Sequence, residues 1–212
     1  MSTKDVNVYS SCDKAIKALD RQNVEAFGQL KMSKWDEINL IRTVVSVYRK
    51  SAKRAQRRYR RVAIDAYLIG MALADIEHQK AGKMAENAIT EKWVDDVLSE
   101  TDFVTLYRFD TETDRKAHRL AETLEVTPDR NKAIDKALKE WSRQVGQYAI
   151  NITDYAIVQA FQDAGVEDVM WVTQRDERVC HECSSLNGKV FRIEEVPPKP
   201  HMGCRCTIVP DK

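Results

Sequence analysis

Apolar residues recur at three-and-four spacing through most of the chain, the period of one helix face. After residue 165 the spacing tightens to that of short strands. Residues 1–12 are polar and read as a flexible arm. From Asp13 onward, Ile16, Leu19, Asn23, Ala26, Phe27 and Leu30 stack on one side of a helix. Lys31 to Lys34 read as a joint, with Ser33 as an N-cap ahead of Trp35 and Glu37. A second periodic stretch runs without proline from Trp35 to Gln79. Its apolar side holds Ile38, Ile41, Val45, Tyr48, Ala52, Ala55, Tyr59, Val62, Ala66, Ile69 and Leu73. As one helix it would extend about 65 Å at about 1.5 Å per residue. A compact domain of this size does not cover such a length, so the pattern predicts a break or an elongated molecule.

Ala81-Gly82 reads as a turn, followed by a helix carrying Met84, Ala88, Trp93, Val94, Val97 and Leu98. Phe103 to Phe109 alternates poorly and reads as a strand or extended connector. A short helix is predicted over Thr113–Leu124. Thr127-Pro128 opens the next, with Thr127 capping and Pro128 at the first helical position. That helix is predicted to run from Asp129 to Ala164, with Ile134, Leu138, Trp141, Val145, Tyr148 and Ile152 on its apolar stripe and Gly165 ending it. Strands are predicted at Val169–Thr173, at Lys189–Ile193 just after the turn Asn187-Gly188, and at Cys206–Pro210. The fold class is therefore α+β: an elongated, mostly helical body over 13–165 and a small β-rich module over 166–212.

Composition adds bounds to this picture. Apolar residues make up 43% and charged residues 32%, which reads as a soluble, helix-rich chain. The formal charge is +1, so overall charge selects no anionic partner. No apolar run is long enough for a membrane span. The N-terminal residues lack an apolar signal segment, and nothing points to secretion.

The chemistry is concentrated at the end. Every cysteine except Cys12 lies between 180 and 206, as Cys180-x2-Cys183 and Cys204-x-Cys206, with His201 close by. In a chain without secretion signals such pairs favour a metal over disulfides. A Cys-x2-Cys turn places two thiolates on one ion, and a tetrahedral site needs two more ligands from elsewhere. The favoured set is Cys180, Cys183, His201 and Cys206, with Cys204 as the alternate ligand and Zn2+ as the ion. Three thiolates and one imidazole leave no open position for water, so the role is structural, clasping a module too small to bury its own core. His181 adjoins Cys180 and is expected to point away. Arg205 either neutralises thiolate charge or faces solvent. Asp176 or Glu177, supported by His181 or His201, would be the base of a hydrolytic site, but no nucleophile accompanies them, and the chain is read as no enzyme.

One further stretch stands out. Arg49, Lys50, Lys53, Arg54, Arg57, Arg58, Arg60 and Arg61 crowd one helix with no acid among them. Ala52, Ala55, Tyr59 and Val62 keep its apolar side, so the charge forms an outward stripe. Such a stripe suits a phosphate backbone or an acidic protein surface and reads no base sequence. The competing reading is a solvated face balanced by acids elsewhere in the fold.

Trp171-Val-Thr-Gln-Arg-Asp176, Cys180-x2-Cys183, Leu186-x-Gly188 and Phe191, followed by His201-x2-Cys204-Arg205-Cys206-x3-Pro210, resemble the Mu gpF-like phage head morphogenesis proteins, also called minor capsid proteins. The resemblance covers roughly residues 150–210, and His201-x2-Cys204-Arg205-Cys206 is its most telling part. It implies a non-enzymatic capsid component, in few copies, inside the virion near the portal, and in the bacterial host cytoplasm during assembly. The implied partners are the portal protein or the major capsid protein, and packaged double-stranded DNA without sequence preference; no membrane is implied. It also implies that Trp171, Thr173, Asp176, Gly188 and Phe191 support the cysteine knot. Many relatives lack the first cysteine pair. The alternatives are a zinc-stabilised nuclease or hydrolase, or a DNA-binding adaptor unconnected to virions.

Overall fold

The computed structural model describes residues 7–32, 37–100, 107–173 and 179–211. Its helical part comprises α1 (Ser10–Met32), α2 (Glu37–Leu73), α3 (His78–Ala88), α4 (Glu91–Ser99), α5 (Phe109–Val126) and α6 (Arg130–Asp163). The C-terminal part adds β1 (Asp168–Val172), a short helix α7 (His181–Leu186), β2 (Val190–Arg192), a 3-10 turn at Ile193–Glu195 and β3 (Thr207–Pro210). The mostly helical body followed by a small sheet is the α+β arrangement expected from the periodicity.

The central element is α2, unbroken over 37 residues. It is about 55 Å long at about 1.5 Å per residue. Of the two expected outcomes, a break or an elongated molecule, the break does not occur; α6, at 34 residues, packs beside α2 while α1 and α5 lie on its other flanks. Tyr59 and Tyr67 of α2 donate to the Val145 carbonyl (2.8 Å) and Asp163 Oδ2 (2.6 Å) of α6. At Gly70 the two helices approach so closely that an added Cβ would sit 2.7 Å from Ala160 Cβ. Near its start the buried face is Leu40, Val44 and Val47, whereas Ile41 is exposed and Val45 half-buried. The helix ends at Leu73 rather than Gln79, where Asp75 takes a left-handed turn with φ 61°.

Several predicted boundaries move. Ala81-Gly82 is no turn: both lie inside α3, and Ala81 is buried. Thr127 closes α5, and the cap of α6 is Asp129, whose side chain accepts from Lys132 N at 3.0 Å. Gly165 does end α6, with φ 75°. Ser33, Trp35, Phe103 and the span 174–178 lie outside the described residues, as do the side chains of Glu37 and Ile38. The described part of the arm expected over residues 1–12 is folded. Val8, Tyr9 and Cys12 are buried, and α1 begins at Ser10.

Between α1, α2, α5 and α6 the core is aromatic. Tyr48 meets Phe27 and Trp141 edge-on, each at 5.1 Å, and Phe109 meets Tyr148 at 4.8 Å. Three buried polar side chains here form a chain: Trp141 Nε1 donates to Ser51 Oγ (2.7 Å), which donates to Asn23 Oδ1 (2.5 Å).

The sheet has order β2-β1-β3, with both neighbours antiparallel to β1. Val169 opposes Phe191, and Trp171 opposes Ile208. β1 turns Val169 and Trp171 inward, and these join Ile208 and Val209 in a buried cluster continuous with that of the helices. The change from helix to strand falls between Asp163 and Asp168, yet the sheet packs on the body rather than apart from it.

Candidate metal centre

The segment between β1 and β3 makes two returns, and each carries cysteines. In the first, Cys180 caps α7, its Sγ accepting from Cys183 N at 3.3 Å. The helix ends at Asn187-Gly188. Gly188 has φ 77° and donates its N–H to the Trp171 carbonyl at 2.8 Å, while Asn187 Oδ1 accepts from the Thr173 N–H and hydroxyl, both at 3.0 Å. Trp171, Thr173 and Gly188 therefore do brace this turn, and Phe191 pairs across β1. In the second return, Gly203 turns the chain with φ 78°, and Cys204 N donates to the His201 carbonyl at 3.3 Å. Gly203 N also donates to Gln147 Oε1 of α6 at 2.7 Å, which anchors the loop on the helix.

These returns bring all five sequence-predicted ligands together. Cys180, Cys183 and His201 form one group whose ligand atoms lie within 4.8 Å of one another, and Cys183, Cys204 and Cys206 form a second. Cys183 is common to both. It lies 3.3 Å from His201 Nε2 and 3.6 Å from Cys204 Sγ. A tetrahedral ion with bonds of about 2.3 Å to sulfur and about 2.0 Å to nitrogen needs ligand separations of about 3.5–3.8 Å. The observed spacings are close to these and far from the roughly 2.05 Å of a disulfide. The cysteines are free, with Cys183, Cys204 and Cys206 buried and Cys180 half-buried.

Protonation follows from this burial. Desolvation pushes the Cys183 thiol up to about 12. Cys204 is also raised, first because its S–H donates to Cys206 and then by burial; the same bond lowers Cys206. Raised in this way, Cys183 and Cys204 hold their protons without a cation, and a bound cation reverses that preference. His201 is oriented toward the thiols as well. Its Nδ1 lies 3.1 Å from the Met202 carbonyl, which only accepts, so that nitrogen donates there and Nε2 faces Cys183. Together the residues form a Cys/His cluster able to chelate a metal.

A polar clasp holds the far side, and no sequence signal announced it. The Tyr9 hydroxyl donates to Asp154 Oδ1 (2.5 Å) and lies 2.8 Å from the Cys206 carbonyl. Lys199 Nζ sits 3.3 Å from the same carboxylate and also donates to the Cys206 carbonyl. Burial pushes the Asp154 carboxyl above its ordinary value, against the pull of Lys199. Arg205 turns back to α1, pairing with Asp13 at 2.6 Å and lying 5.0 Å over the Tyr9 ring. His181 is exposed and Cys12 is buried in α1; both lie outside the cluster. Asp176 and Glu177 fall outside the described residues.

The basic helix face is a separate feature of α2. Ala52, Ala55, Tyr59 and Val62 are buried, so the charges project from the opposite side. Arg49 pairs with Asp114 (3.1 Å), Arg61 with Asp65 (3.1 Å), and Arg60 Nε donates to the Ile89 carbonyl (3.2 Å). Among the described residues, Lys50, Lys53, Arg54, Arg57 and Arg58 have no acidic partner. Only part of the stripe is thus neutralised within the fold.

Residues 113–209 match the family model described as Phage Mu protein F like protein. The match begins in α5, well upstream of residue 150, and ends in β3, so it takes in α6, the sheet and the whole cysteine cluster. No curated protein and no solved structure matches the chain. The match supports a minor-capsid or head-morphogenesis family role. Over residues 113–209, just under half of its length, the chain is similar to the Phage Mu protein F like family.

Proposed function

We propose that the protein is a non-enzymatic component of a phage head, associated with the portal vertex or inner capsid, whose C-terminal segment is clasped by one structural Zn2+. The observation that carries this reading is the family match over the segment that contains every residue of the cysteine cluster. Cys183 is the ligand common to both groups, so it would hold the ion together with Cys180, His201 and one thiol of the second group, Cys206 or Cys204. Zinc there supplies charge neutralisation and cross-linking between the two returns. Gln147, Tyr9, Asp154 and Lys199 fix the second of those returns on α1 and α6.

The unpaired part of the α2 stripe would contact a polyanion: packaged double-stranded DNA without sequence preference, or an acidic surface of the portal or major capsid protein. Placement inside the virion would put such a stripe beside both. Sedimentation of phage heads tests the reading. The chain is expected to travel with assembled heads and with the portal protein, and its absence from both would overturn it. Comparing DNA-free with DNA-filled heads separates the two kinds of anionic contact. Retention in empty heads at low salt favours the protein surface.

A further inference from the structure

The four cysteines of the cluster differ in access. Cys183, Cys204 and Cys206 are 2%, 2% and 5% exposed, whereas Cys180 is half-buried. A small oxidant arriving from solvent therefore meets Cys180 first. Cys180 shares a ligand group with Cys183 but none with Cys204 or Cys206, and Cys183 alone belongs to both groups. An exchange that begins at Cys180 must pass through Cys183. From there the next sulfur is Cys204, 3.6 Å away and 21 residues further along the chain. That gap exceeds the roughly 2.05 Å of a disulfide by a distance that side-chain rotation covers. It also spans the first return and the second, the same two segments that a metal would join. A tetrahedral ion takes four of the five donors, so one thiol is left beside it, and a purely structural ion has no use for a fifth.

We propose that Cys180, Cys183 and Cys204 form a thiol relay through which hydrogen peroxide replaces the metal clasp by a Cys183–Cys204 disulfide. The relay rests on the structural-metal reading for the ion it displaces, and on the sulfur geometry alone for its product. The Cys180 sulfur attacks the peroxide: an S–O bond forms, the O–O bond breaks, and water leaves with the thiol proton. Cys183 then displaces the hydroxyl of this sulfenic acid, which leaves as a second water, and a Cys180–Cys183 bond forms. Cys204 attacks Cys183 in turn and releases Cys180 as a thiol. In sum, two thiols lose two electrons and two protons, and one hydrogen peroxide becomes two waters. The donors still free are Cys180, His201 and Cys206. Cys206 shares no group with the other two, so no three of them remain together to keep the ion.

The test treats the full chain, purified under reducing conditions and then freed of reductant, with hydrogen peroxide. A chromogenic chelator follows zinc, and mass spectrometry maps the disulfides. The expected result is loss of all bound zinc together with a Cys183–Cys204 disulfide, both reversed by dithiothreitol and added zinc. Cys204→Ser is expected to stop at Cys180–Cys183. Cys180→Ser is expected to form the Cys183–Cys204 bond about tenfold or more slowly, because the accessible entry sulfur is gone. Thiols that stay reduced at peroxide levels that oxidise free glutathione overturn the proposal. So does a wild-type end product other than Cys183–Cys204, sulfinic acid without a disulfide, or an undiminished rate in Cys180→Ser. The wild-type map decides the matter even if neither variant folds. A chain purified without zinc defeats the metal reading alone, and its disulfide map still decides the relay.

Discussion

The helical body and the C-terminal segment are stabilised by different means. The body lays a 37-residue helix against one of 34 residues and buries continuous apolar faces, with aromatic contacts at its centre. Burial at roughly 25 cal/mol per Å² of apolar surface is enough for elements of that length. The C-terminal segment has strands of three to five residues and a six-residue helix. Such elements present little apolar area of their own. Their order comes from Val169 and Trp171 leaning on the body, from the clasp around Asp154, and from the two cysteine returns. A long helix tolerates the truncation of one side chain because its neighbours along the stripe remain. A loop closed at one point does not.

The comparison breaks most visibly at Cys183, the residue shared by both ligand groups. Cys183→Ser is expected to unfold the two returns and abolish metal retention, since structural zinc contributes about 10–16 kcal/mol of folding free energy in small sites. Near-UV circular dichroism from the buried Trp171 should be lost, while the far-UV helical signal largely persists. Collapse of both signals together would show that the body depends on the clasp. The converse variant is Gly70→Leu. It forces α2 and α6 apart at their closest approach and is expected to destabilise the body by about 1–3 kcal/mol through overpacking, without lowering metal content. Denaturant titration followed with metal analysis checks both parts.

Tyr9→Phe probes the link between the two regions. It removes the hydroxyl that joins α1's approach, Asp154 and the Cys206 carbonyl, and should cost about 1–3 kcal/mol, with faster zinc loss to a chelator. A variant as stable and as slow to release metal as the parent would show that the clasp is incidental. The smallest stability effect belongs to the stripe. Lys53→Glu with Arg57→Glu should leave the melting temperature nearly unchanged, because both side chains are exposed and unpaired among the described residues. Binding to double-stranded DNA should weaken, with the slope of log affinity against log salt becoming shallower by about 0.9 for each phosphate no longer neutralised. Unchanged salt dependence would assign the stripe to another surface.

What the chain's sequence disclosed follows the same division. Helix periodicity located the body because each long helix repeats its signal many times, and single misplacements such as Ile41 or the Thr127 cap did not alter the outcome. The end of α2 was misplaced because Asp75 stops it through a left-handed backbone turn, with neither glycine nor proline to mark the spot. The candidate ligands were visible as a cluster, since cysteine and histidine spacing carries its own chemistry. Their supports were not. Tyr9, Gln147 and Asp154 lie far from Cys206 in the chain, and only folding brings them to the second return. Tyr9 in particular read as part of a polar arm, because its burial depends on partners nearly two hundred residues away.

The central claim is that a metal, rather than apolar burial alone, closes the C-terminal segment. Native mass spectrometry of the full chain, purified under reducing, chelator-free conditions, measures this directly. One zinc per chain, lost on acidification and absent from Cys183→Ser, is the result expected. A homogeneous metal-free mass whose Trp171 near-UV signal is intact would contradict it.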